Sequence, residues 1–276
     1  MSLHVNPINS LLQITAWRMD APRMYGAFHI AAVLVVVIAA VLGAAAVSRA
    51  CKPSRARVIR ILADCGWILA ILEVYKQLFL YHIVNGGTYD WWYFPFQLCS
   101  VPMYLCILLP VLCKAGKACN AILTFLATYT FVGAVAALTV PEDFLRSYVT
   151  LTLHGFIWHG ILLFICLVVV FSGIADLNRG GFMRATALFG GLCVIAVIIN
   201  VLTEPMMAKA HAAGLVPDPY AAMFYLNPYH ISPQPIVDTV QKSAGIPLGL
   251  ALYVIVIIAV SGLAALVFRR LLKARG

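Results

Sequence analysis

Seven apolar stretches, near residues 25–48, 58–82, 94–113, 119–140, 148–172, 184–205 and 246–268, leave this chain very few folds. Each is long enough to cross a hydrocarbon layer about 30 Å thick. Inside such a layer every backbone N–H and C=O must be satisfied within the segment, which selects the α-helix. Only 11% of the 276 residues are charged and 63% are apolar, whereas a soluble domain carries about 25% charged residues. The expectation is an all-α, polytopic protein of the cell membrane, a bundle of seven transmembrane helices forming a single domain over residues 1–276. The first stretch ends in AAAVSRAC, which mimics a signal-peptide cleavage site. Its apolar run is too long for a signal peptide, so it reads as an uncleaved helix.

The net charge of +9 does not point to nucleic acid, because the basic residues sit between the apolar stretches. Alternate connections hold Arg49, Lys52, Arg55, Arg57 and Arg60, then Lys114 and Lys117, then Arg179 and Arg184, then Arg269, Arg270, Lys273 and Arg275. The opposite side holds Arg18, Arg23, Arg146, Lys209 and Lys242, a split of 13 to 5. Cytoplasmic connections carry the excess of Lys and Arg, so the N-terminus is expected outside and the C-terminus in the cytoplasm. The eight cysteines lie mostly within or beside apolar stretches and do not look like a disulfide framework.

Ionisable groups are costly in hydrocarbon, so their depth is informative. Asp64 lies one turn from Arg60 and is expected to pair with it. Glu73 and Lys76 are three apart on one helix, able to neutralise one another or to line a cavity. His82 follows toward the outer end. WWYFPFQLCS (91–100) opens the third stretch with an aromatic belt, then Gln97 and Cys99. Pro95 suits the first turn of a helix there. The fifth stretch carries LTLHGFIWHG, with His154 at about the depth of Cys99 and His159 about 7 Å deeper. Five residues apart, the two rings diverge by about 140°, so at most one is expected to face a given site. That divergence also argues against a shared metal, and no cofactor or metal is expected. Asn200 and Glu204, four apart, end the sixth stretch. The polar groups of several helices thus converge on one outer-leaflet zone. A proline-rich connection, 206–245, carries Asn227 and His230 and faces the same side as a candidate lid or binding element.

A cysteine becomes a nucleophile as the thiolate, usually with a histidine to take its proton. Cys99 and His154 at matching depth suit acyl transfer or ester hydrolysis on a membrane lipid, with Gln97 or His82 steadying an oxyanion. The elements FPFQLCS and LHG resemble the YwaF-like bacterial integral membrane family. That family is distantly similar to animal transmembrane acyltransferases that remodel ether phospholipids. The resemblance covers most of the chain in segment order and length. Its specific matches are Pro95, Gln97, Leu98 and Cys99, then His154 and Gly155, with His159 and Gly160 as a second register. Gly245, Ile246 and Pro247 match a small-proline element, without the aromatic residues the family often shows there. The resemblance implies that Cys99 is the nucleophile and His154 the base. Substrate contacts are then expected from Gln97, His82, Glu73, Lys76, His159, Asn200, Glu204, Asn227 and His230, with membrane lipids as the partners.

The competing reading is a transporter or binding protein with a polar cavity lined by Glu73, Lys76, His82 and Glu204. The absence of an internal repeat counts against it. A retinal protein is excluded because the last stretch has no lysine, and no G-x-S-x-G marks a serine hydrolase.

Overall fold

The computed structural model describes residues 7–50, 54–113 and 116–273. Cys51, Lys52, Lys114 and Arg275, all weighed above, lie outside the described residues. The nine α-helices among the described residues are α1 (Pro7–Gln13), α2 (Ala27–Ala50), α3 (Arg55–Phe79), α4 (Val101–Leu112), α5 (Gly116–Thr139), α6 (Val149–Phe171), α7 (Arg179–Ala212), α8 (Val237–Ala244) and α9 (Ile246–Lys273).

Every expected apolar stretch contains a helix, but only α2, α5, α6, α7 and α9 are long and apolar enough to cross a membrane. Helix α3 has the length, at 25 residues, yet carries Asp64, Glu73 and Lys76. Helix α4 has 12 residues, or about 18 Å at 1.5 Å per residue, too short for a span. The expectation of a helix over 94–113 is therefore corrected. The Asp90 carboxylate accepts from the Trp92 N–H at 2.9 Å and starts a 3₁₀ turn over Trp91–Tyr93. Pro95 then lies in irregular chain, and Pro102, not Pro95, occupies the first turn of the helix. The sixth stretch also runs further than expected, through Pro205 to Ala212.

Helices α5 and α6 form the centre, with 67% and 72% of their apolar windows buried, against 11% for α2 and 17% for α9. The outward faces of α2, α7 and α9 are leucine, valine and isoleucine. Such faces suit lipid, which is as apolar as they are. Helices α3 and α4 approach closely at Gly66, where a Cβ would lie 2.9 Å from the Ile107 nitrogen. The N-terminal arm ties to the turn before α6, with Met19 donating to Ser147 and Val149 donating to Trp17, both at 3.0 Å.

Two further expectations change. Cys113 and Cys119 form a disulfide across the α4–α5 connection, so not all the cysteines are buried hydrophobes. Cys65, Cys106 and Cys166 are buried thiols, as expected. Among the described residues, no ion pair joins Asp64 to Arg60, and Asp64 is exposed.

Candidate functional site

A cavity of about 740 Å³ lies among α3, the turn before α4, α5, α6, α9 and the segment between α7 and α8. Cys99, His154, His159, Lys76 and Gln97 all line it. Cys99 sits in a tight turn, where the Ser100 and Val101 N–H groups both donate to the Gln97 carbonyl, at 2.8 and 3.1 Å. That turn launches α4 and leaves the thiol half-buried.

Trp158 organises the wall. Its indole N–H donates to the Cys99 carbonyl at 3.0 Å. Its ring stacks on His154 with centroids 5.5 Å apart. The Lys76 ammonium stands 5.9 Å from the same ring centre, within cation–π range. The i, i+4 spacing of His154 and Trp158 was visible in LTLHGFIWHG and marks the pair as neighbours on one face; the sequence reasoning passed over it.

The two histidines are held in opposite tautomers. A carbonyl only accepts, so a ring nitrogen bonded to one carries the proton. His154 Nε2 bonds the Leu72 carbonyl at 3.2 Å, which leaves Nδ1 as the ring nitrogen open to the cavity's chemistry. His159 Nδ1 bonds the Gly155 carbonyl at 2.7 Å, which leaves Nε2, buried and without a partner. Both rings line one cavity, contrary to the expectation from their divergence. They do diverge, His154 toward α3 and His159 toward Phe144, stacked 5.1 Å away. The cavity is wide enough to reach both. Gly155 makes this possible, since a Cβ there would occupy the space of the Phe144 ring.

Lys76 pairs with Glu73 at 2.9 Å, as the spacing suggested. Glu73 itself is buried behind the wall and also accepts from Gln77 at 2.6 Å. Arg146, absent from the expected site, lines the cavity. It donates to the Tyr93 hydroxyl at 2.5 Å and to the Asp143 carbonyl at 2.8 Å. Tyr225 donates to the Asp143 carboxylate at 2.8 Å, tying the segment after α7 to the turn before α6.

The remaining expected residues are elsewhere. Gln97 faces the cavity, but both ends of its amide are engaged by the segment between α7 and α8: Nε2 donates to the Ala222 carbonyl at 3.0 Å and Oε1 accepts from Phe224 N–H at 2.8 Å. Asn200 does the same one residue along, with Nδ2 donating to the Met223 carbonyl at 3.1 Å and Oδ1 accepting from its N–H at 2.6 Å. Asn200 is fully buried and does not line the cavity. Non-helical backbone at membrane depth needs such partners, because no water reaches it. Glu204, Asn227 and His230 form a separate cluster. His230 Nε2 meets Glu204 Oε1 at 2.5 Å, Asn227 donates to Glu204 Oε2 at 3.3 Å, and Tyr220 stacks on His230 at 4.0 Å. His82 stands off the cavity in a π-helical turn, edge-on to Tyr81.

In the loops, desolvation raises the carboxyls of Asp90 and Asp218 above the ordinary range, each opposed by Arg146. Among the described residues, no cluster of His, Cys, Asp or Glu is suited to hold a metal. Neither the curated proteins nor the solved structures yield a match to this chain. The TMEM164 family model matches residues 24–268, and with all-helical architecture and five apolar helices of spanning length, the chain belongs to the TMEM164 family of transmembrane proteins.

Proposed function

We propose that this protein transfers or hydrolyses acyl groups on membrane lipids, with Cys99 as nucleophile and His154 as base. The observation that carries the reading is the joint presence of Cys99 and His154 on one cavity wall, tied through Trp158. In the first step, His154 Nδ1 takes the thiol proton and the sulfur attacks the ester carbonyl carbon. The carbonyl electrons move to oxygen as the C–S bond forms. They return as the ester C–O bond breaks, and the lysolipid alkoxide leaves with the proton from the imidazolium. In the second step, a lysolipid hydroxyl or water gives its proton to His154 and attacks the thioester, releasing the thiol. Lys76 is a cation on the cavity wall that can meet the oxyanion, since the Gln97 amide is already engaged. The basic-residue bias supports seven crossings with the N-terminus outside, the third completed by the irregular chain before α4, so that the cavity opens to the extracytoplasmic leaflet. An acyl-directed activity probe tests the reading: wild type labels and Cys99→Ala does not. Equal labelling of the two removes it.

A second reading, a transporter or binding protein, is favoured by Lys76 on the cavity wall with its partner Glu73 buried behind it. Substrate uptake that survives Cys99→Ala but fails in Glu73→Gln selects it.

A further inference from the structure

The segment between α7 and α8 lines the cavity, and the way it is held is unusual. It begins after Gly214 (φ 67°) and leads into α8, which is followed by Gly245 (φ 92°), so positive-φ glycines bound the whole unit. Asp218, Tyr220, Phe224 and Tyr225 from this segment line the cavity wall. Ala221, Ala222, Met223 and Phe224 are buried as deeply as core residues. Yet side chains, not a regular backbone ladder, secure this plug to the bundle. The amides of Gln97 and Asn200 grip three consecutive residues, each accepting from one N–H and donating to one carbonyl. At the end of the grip, Phe224 (φ 54°) and its neighbour Tyr225 (φ 55°) are both left-handed. Two adjacent bulky residues adopt that conformation only when surrounding contacts impose it. Attachments also lie at two edges: Tyr225 to Asp143, and His230 with Asn227 to Glu204.

We infer that residues 215–236 form a lid over the thiol of Cys99, held shut by the amide grip and released through its two edge attachments. The closed lid stores backbone strain against a few polar contacts, so loss of those contacts favours opening. Gln97 couples the two parts, because its side chain holds the lid while its carbonyl anchors the turn that carries Cys99. Opening the lid therefore also frees that turn. The inference rests on Cys99 lining the cavity but not on its catalysing acyl transfer, and its test needs no turnover.

The test is maleimide alkylation of the full chain in lipid nanodiscs, with Cys51, Cys113, Cys119 and Cys193 replaced by Ser. Cys65, Cys106 and Cys166 are buried, so Cys99 is the reporter. Its labelling is read by mass spectrometry with a small and a bulky maleimide. The ratio of bulky to small rates isolates access from thiol reactivity. Tyr225→Phe, which removes the contact to Asp143, and Glu204→Gln, which removes the charge that both His230 and Asn227 meet, are expected to raise that ratio about ten-fold, and Asn200→Ala further. If Asn200→Ala does not fold, the two conservative variants decide. Ratios within about two-fold of the parent in folded Tyr225→Phe and Glu204→Gln overturn the lid, whatever the acyl probe reports.

Discussion

The indole N–H of Trp158 donates to the carbonyl of Cys99 at 3.0 Å, so α6 holds the turn that presents the thiol. The same residue stacks on His154, which makes it the physical link between the proposed nucleophile and base. Trp158→Phe keeps an aromatic face but leaves a carbonyl without its donor. That loss costs about 1–3 kcal/mol in a buried setting. A fall in the unfolding midpoint together with slower probe labelling of Cys99 is expected. Unchanged labelling at a lowered midpoint shows that Trp158 supports the fold and not the site.

Gly155 lies where the Phe144 ring plugs against α6. Gly155→Ala forces that ring away from His159, at about 1–3 kcal/mol for an overpacked core position. Phe144→Gly in the same chain removes the clash, which begins at the Phe144 Cβ, so the pair is expected to be strongly non-additive. Thermal unfolding of the two single variants and the double variant measures this. Simple additivity contradicts the packing account.

Asp90 is 3% exposed, and desolvation raises its carboxyl, with Asp218 adding to the rise while the Trp92 N–H and Arg146 oppose it. A raised carboxyl binds its proton more tightly in the folded state than in the unfolded one. Stability from this group is therefore present at low pH and lost as pH rises from the ordinary carboxylate range through the raised value. Asp90→Asn keeps an oxygen to cap Trp92 and removes the charge. It is expected to raise the unfolding midpoint at pH 7.5, with the gain vanishing below the ordinary carboxylate range. A gain that persists in acid contradicts the desolvation argument.

The positive-inside bias assigns the α4–α5 connection to the cytoplasm, where glutathione keeps thiols reduced. The structure joins Cys113 to Cys119 in that connection. The proposed topology predicts that both alkylate in intact cells with a membrane-permeant maleimide and resist an impermeant one. A bond that survives the permeant reagent before lysis puts this connection on the oxidising side and inverts the orientation.

The helices were legible in the sequence because hydropathy is a property of composition along the chain. The start of α4 was not, because WWYFPF is equally apolar whether helical or folded into a 3₁₀ turn. Depth arguments brought Cys99 and His154 toward one zone, and both line one cavity. They could not tell a polar side chain that meets a ligand from one that meets its own chain. Gln97 finds its partners at Ala222 and Phe224, far along the sequence, and Asn200 finds both of its bonds at Met223. Spacing within one helix carries no information about such partners. Where a local rule did apply, as for Glu73 with Lys76, the expected ion pair is present.

Intact-peptide mass spectrometry after incubation with phosphatidylcholine vesicles tests the central claim most directly. The account predicts an acyl adduct on the peptide containing Cys99 that neutral hydroxylamine removes, reduced or lost in His154→Ala. A folded wild-type protein that turns over lipid while that peptide never carries an acyl group, and a Cys99→Ala variant equally active, would contradict it.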